Sequence, residues 1–185
     1  MIAPKSLCPP IGVSESAAAA WTVEHTELND PRAAALREDM SAELGARYAD
    51  RADLRRLRQE SQNPAGVIDP DSVIATILVL SADRTPVGHG ILRWLEDEPE
   101  VKRVYIASAA RGSGAAAVLM TALETAAAAT GLPRLRLSTG DRQPDAVKLY
   151  TKLGYQRIPL FGPYVDFPWS ICFEKPLHLQ VEPAE

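Results

Sequence analysis

A chain of 185 residues is long enough for one domain with a sizeable hydrophobic core. Its 46% apolar and 24% charged content excludes disordered, collagen-like and coiled-coil classes, and a formal charge of −4 gives no reason to expect nucleic acid as a partner. Two cysteines, Cys8 and Cys172, are too few for a disulfide framework, no apolar run nears the roughly 20 residues of a membrane span, and the N-terminus lacks a signal-peptide pattern. A reducing, cytoplasmic setting without membrane contact is the expectation.

Residues 1–19, rich in Pro, Ser and Ala, read as a poorly ordered leader. The domain is expected over residues 20–178, with a tail over 179–185. Residues 21–28 alternate as a first strand. Asn29 or Asp30 then caps a helix with Pro31 in its first turn and an apolar stripe at Ala33, Leu36, Met40 and Leu44. A charge-rich helical stretch follows over 53–60, then a loop at 62–66.

Residues 73–80 form a continuous aliphatic run, expected as a buried strand. A turn at 83–86 leads into a second strand over 87–95, and the two read as a hairpin. Residues 96–99 read as an acidic connector, and 101–106 as a third strand. An alanine-rich helix then runs to Gly131 and Pro133, with Gly131 as its left-handed cap. A short strand at 135–138 follows, then a helix from Pro144 to Gly154 and strands at 155–158 and 170–174. The alternating tail predicts an α/β (α+β) fold, and the hairpin predicts a mixed, mostly antiparallel sheet flanked by helices.

The segment with most chemistry is the junction after the third strand, Arg111-Gly112-Ser113-Gly114-Ala115-Ala116. A helix N-terminus presents amides without internal partners and a partial positive charge, and glycines let a ligand approach the backbone closely. Such a junction suits a pyrophosphate. No Gly-Lys-Ser/Thr follows, which excludes a Walker loop. The next strand, Leu135-Arg136-Leu137-Ser138, lacks the acid of a dinucleotide-binding fingerprint.

The spacing Arg-x-x-Gly-x-Ala at Arg111, Gly114 and Ala116 resembles the acetyl-CoA motif of the GNAT superfamily of N-acetyltransferases. About 30 residues on, Ala146, Leu149-Tyr150 and Leu153-Gly154-Tyr155 resemble that superfamily's second pattern. Val87-Gly88-His89-Gly90 and Lys102-Arg103-Val104-Tyr105-Ile106 are also similar, so the resemblance covers residues 70–160. It implies a strand pair that splays at the cofactor site, with Val104, Tyr105 and Ile106 offering backbone groups to the pantetheine arm. It further implies acetyl-CoA as co-substrate, with its pyrophosphate on Arg111, Gly112, Ser113, Gly114, Ala115 and Ala116. Gln143 stands where many members carry Asn. Lys148 and Lys152, one turn apart, are candidates for the outer phosphate, or else a solvated helix face.

Tyr150 is, by the same resemblance, the general acid for the departing thiolate and part of the cofactor site; a packing aromatic is the plainer alternative. Glu100 is the candidate base for the acceptor amine, with Asp166 and relayed water as alternatives. The acidic run at 96–100 points to a cationic acceptor, a small molecule or a protein amine. The aromatic segment 161–169 would form a lip over the acceptor pocket or a homodimer contact. Cys172 reads as a buried structural thiol, and His25, His89 and His178 lack metal-ligand spacing, so no metal is expected. The implied function is an acyltransferase acetylating a primary amine by direct attack in a ternary complex. The alternative from another class is an acyl-CoA-binding sensor without turnover.

Overall fold

The computed structural model describes residues 21–51 and 67–177. The expected leader, the helical stretch over 53–60 and the tail lie outside the described residues.

Strand β1 (Thr22–Thr26) leads into helix α1 (Pro31–Arg47). Asp30 is the cap: its carboxylate accepts from the Arg32 amide at 2.8 Å, and Pro31 needs no hydrogen-bond partner in the first turn. Ala33, Leu36 and Met40 bury one stripe of α1. Strands β2 (Val73–Leu80), β3 (Pro86–Leu95) and β4 (Glu98–Ile106) then form an antiparallel meander. Helix α2 (Ala115–Ala128) crosses over to β5 (Arg134–Gly140), and helix α3 (Pro144–Lys152) precedes β6 (Gln156–Ile158) and β7 (Ser170–Pro176). Among the described residues the strands make one sheet in the order β1-β2-β3-β4-β5-β7-β6, antiparallel except for β4 with β5.

The expected acidic connector is a two-residue turn instead. Leu95 pairs with Glu98, so only Glu96 and Asp97 turn, and Glu96 adopts φ 56°. Composition misplaced the strand start because its acids are neutralised across the sheet. Glu100 lies opposite Arg93 and bonds its Nε at 2.8 Å, and Glu98 takes Arg134 at 2.6 Å.

The sheet has two differently packed faces. One carries α2 and α3 over a continuous apolar core that includes Ile77, Leu92, Val101, Leu119, Met120, Leu123 and Phe173. Gly90 lets α2 sit close, since a methyl group there would stand 2.8 Å from Leu123 Cδ1. Fully burying a leucine such as Leu119 or Leu123 contributes roughly 1.5–3 kcal/mol. The other face carries α1 over Leu78 and Leu80, and a short helical turn (Gly162–Asp166) whose Tyr164 packs with Cys172.

Candidate active site

The site begins where β4 and β5 part. They pair only at Glu100↔Arg136 and Val101↔Leu137; beyond that point the two strands run on without bonding each other. The parting coincides with a bulge. Between the pairs His89↔Tyr105 and Ile91↔Lys102, one residue of β3, Gly90, stands opposite two of β4, Arg103 and Val104, and Arg103 takes φ 57°. An extra residue bends its strand and shifts the side-chain alternation by one. Val101 and Ile106 therefore both enter the core beneath α2, while Tyr105 turns to the α1 face. The sequence resemblance implied the splay, and the bulge supplies its physical cause.

The gap opens into a cavity of about 530 Å³, within the range of small-molecule sites. Val104, Tyr105 and Ile106 form one wall; Ala146, Leu149, Tyr150 and Leu153 of α3 form another. Arg111, Gly112, Gly114 and Ala116 close one end, with Gln143 and Lys152 at the rim of α3. Gly112 and Gly114 adopt φ 76° and 94°, and a methyl group on either would meet no protein atom within 4 Å. The loop backbone therefore faces open space, as an approaching phosphate requires.

Arg111 does not project freely. Its Nε donates to the Ile106 carbonyl at 3.0 Å, its Nη atoms hold the Glu43 carboxylate at 3.2 and 2.5 Å, and its guanidinium lies 5.5 Å from the Tyr105 ring centre. Hydrogen bonds from Arg111 hold the Glu43 carboxyl below the usual range. Arg111 thus ties the loop to α1, and the main-chain amides are left to meet an anion.

Three expected contacts are not among the lining side chains. Ser113 turns its hydroxyl back to the Ala110 carbonyl, Ala115 is wholly buried in the first turn of α2, and Lys148 is exposed outside the cavity. Lys148 misses for a geometric reason: it lies about 40° further round α3 than Lys152, and Lys152 already marks the edge.

A second cavity of about 220 Å³ adjoins the first at the same gap. Tyr48, Lys102, Ser138, Thr139, Trp169 and Ser170 are among its walls, and it shares Met40, Leu44, Val104, Gln143 and Tyr150 with the first. Tyr150 therefore stands at the junction. Its ring packs 5.8 Å from both Tyr155 and Phe173, and burial pushes its phenol up from the ordinary value. A phenol so held stays protonated, a donor.

Glu100 is placed differently from the base that the sequence suggested. It lines neither cavity. Its Oε2 accepts from Arg93, its Oε1 accepts from the Tyr164 hydroxyl, and only 1% of the residue is exposed. Tyr164 in turn accepts from Lys102 Nζ at 2.7 Å. This chain Arg93–Glu100–Tyr164–Lys102 runs from the sheet interior to the second cavity. Burial pulls the Lys102 ammonium down to about 8. Asp166 is exposed on the turn and lines neither cavity. Cys172 is buried, and burial raises its thiol, as a packing residue requires.

Sequence reasoning missed the contribution of α1 (Met40, Glu43 and Leu44) and of Tyr48 just beyond it, whereas Trp169, in the second cavity's wall, belongs to the aromatic segment expected as a lip or a dimer contact. Leu44 belongs to the recognised stripe, but no spacing separates Glu43 from its acidic neighbours Glu38 and Asp39. Lys102 had a signal: a lysine inside an aliphatic strand is expensive unless something receives it.

The model of the acetyltransferase (GNAT) family matches residues 33–155, and the chain belongs to that family. Among solved structures, a candidate acyl-CoA N-acyltransferase from Klebsiella pneumoniae is 31% identical, with a TM-score of 0.68 over 86% of this chain and 99% of that one. The paiA N-acetyltransferase of Thermoplasma acidophilum, solved in complex with coenzyme A, shares the fold at 15% identity, with a TM-score of 0.59 over 84% of this chain and 99% of that one. An IAA acetyltransferase from Azospirillum brasilense is 41% identical over 78 residues, 42% of this chain and 51% of that protein, so the match spans about half the length of this curated relative.

Proposed function

We propose that the protein transfers the acetyl group of acetyl-CoA to the nitrogen of a primary amine. The observation that carries this reading is the junction at Tyr150, where two adjoining cavities at a parted strand pair meet at a buried phenol. Family membership supports it, as do fold relatives solved with coenzyme A or acetyl-CoA. The first cavity suits the cofactor: loop amides at 112–116 for the pyrophosphate, the open edge of β4 for the pantetheine, and apolar α3 side chains beneath. The second suits the acceptor.

In the transfer, a nitrogen–carbon bond forms at the acetyl carbonyl carbon while the carbon–sulfur bond breaks. Tyr150 gives its phenolic proton to the sulfur and regains one from solvent; the amine's surplus proton leaves to water. Water is favoured as base because Glu100 and Asp166 stand outside both cavities, with the Glu100 carboxylate already engaged.

The test combines binding and turnover. Acetyl-CoA should raise the melting temperature, NAD and ATP should not, and thiol release should appear with a panel of primary amines. Tyr150→Phe keeps the ring and should lower kcat by about 10²-fold while acetyl-CoA affinity holds within a few-fold. Tight binding of acetyl-CoA without turnover of any amine would replace this reading with the sensor.

A further inference from the structure

The second cavity has a charge character that the acidic run at 96–100 does not suggest. Glu98 and Glu100 are turned into ion pairs with Arg134 and Arg93, and no residue of the run lines either cavity. Among the described residues, the lining of the second cavity includes no Asp or Glu. It does include two cations, Lys102 and Arg103, together with the hydroxyl-bearing side chains of Ser138, Thr139 and Ser170.

Lys102 has no carboxylate within ion-pair distance among the described residues. Its hydrogen-bond partner is the neutral Tyr164 hydroxyl, at 2.7 Å, with the Tyr164 ring centre 5.1 Å away. Glu100, the nearest acid along the chain of bonds, has one oxygen occupied by Arg93 and the other by Tyr164. An ammonium offers three N–H donors, so one bond to Tyr164 leaves donors available toward the cavity. A partly desolvated charge without an opposite partner is costly, and a ligand anion would relieve it.

We propose that the acceptor is a small amine that also carries a carboxylate, bound with its carboxylate on Lys102 and its nitrogen toward Tyr150. This rests on the acetyltransfer reading of the same site. A polyamine or a lysine side chain would meet the Lys102 charge with nothing to offset it. The size is consistent, since about 220 Å³ admits an amino acid but not a large aminoglycoside or a folded peptide segment in full.

The experiment uses matched pairs that differ only at the carboxyl group: L-alanine, β-alanine and 4-aminobutyrate against their carboxamides, with spermidine as the polycationic comparison. Acetylation is followed by thiol release, and binding in the presence of CoA by calorimetry. At least one carboxylate should exceed its carboxamide by tenfold or more in kcat/KM. The amine of an α-carboxamide is the weaker base and more often neutral, which biases that pair against the expected result. Lys102→Met should remove the preference, and Lys102→Arg should retain part of it. Preference for spermidine or the carboxamides, or a carboxylate preference that survives Lys102→Met, would overturn the proposal. If no amine is acetylated but a carboxylate binds in a Lys102-dependent way, the transfer reading fails and the anion site stands. If no carboxylate binds up to millimolar concentrations, the anion site itself is refuted.

Discussion

The two faces of the sheet are packed by different means. Beneath α2 and α3 lies a continuous apolar core in which backbone geometry makes the working parts: a bulge, a parted strand pair and a helix N-terminus with left-handed glycines. Beneath α1 and the turn at 162–166 the apolar clusters are small, and His89, Arg93 and Glu100 are buried with Lys102 beside them. There, side chains contributed by segments far apart in sequence make the working parts. An apolar face tolerates a methyl more or less at modest cost, whereas a polar face depends on each partner being present. Perturbations should therefore separate the faces by kind as well as size.

The largest expected effect is on the polar face. Glu100→Gln removes the buried charge that Arg93 Nε bonds at 2.8 Å and should cost about 3 kcal/mol in urea unfolding. If the residue is structural, kcat/KM of the folded variant stays within a few-fold of wild type across pH. A folded variant that loses about 10²–10⁴-fold in kcat/KM, with the loss shrinking at high pH, would restore Glu100 as base.

The next effect is a pH dependence confined to the same face. His89 is fully buried, and Arg37 Nη1 lies 3.3 Å from its Nε2. Since a guanidinium only donates, that nitrogen must accept, which requires the neutral ring. Burial first, then Arg37, pull its pKa from 6.5 to about 4. The unfolded chain takes up this proton first, so the stabilisation is complete above pH 6.5 and is lost as pH falls toward 4. The loss should reach about 2 kcal/mol by pH 5. His89→Gln keeps an acceptor and cannot titrate, so its stability should be flatter between pH 6.5 and 5. An equally steep decline in that variant would place the acid sensitivity elsewhere.

What could be read in the sequence divides along the same line. The helix stripes and the buried run at 73–80 are local patterns, and each lies where expected; the Arg111–Gly114–Ala116 spacing is equally local, and its residues line the first cavity. The strand start at Glu98 was missed because the reading counted charges without their cross-strand partners. Glu43 and Tyr48 escaped because only tertiary packing gathers them. Lys148 was expected beside Lys152 since four residues is nearly one turn, yet the cavity edge falls between them.

A smaller effect tests the backbone-built side. Gly114→Ala must hold a side chain at φ 94° and should lose about 1 kcal/mol of stability. Gly131 offers the control, with φ 78° and equally open surroundings at the far end of α2. Gly131→Ala should show a similar stability loss with acetyl-CoA affinity unchanged, whereas Gly114→Ala should weaken affinity roughly tenfold, about 1.4 kcal/mol. Equal affinities in the two variants would remove the loop from the cofactor site.

The smallest effect concerns the rim, where the two lysines of α3 are chemically alike and differ only in angle. Both are exposed, so whatever they contribute is screened by water and salt. Lys152 lines the first cavity and Lys148 does not. Lys152→Ala should weaken acetyl-CoA binding about two- to fivefold at low salt, with the loss fading toward roughly 0.5 M salt. Lys148→Ala should leave binding unchanged at both. Dephospho-CoA, which lacks the outer phosphate, should bind wild type and Lys152→Ala alike if that phosphate is what the ammonium meets. A Lys152 loss that persists with dephospho-CoA would move the contact to the pyrophosphate. Equal losses from both lysines would mean that the field of the whole helix face governs binding at this rim, and one residue's angle does not.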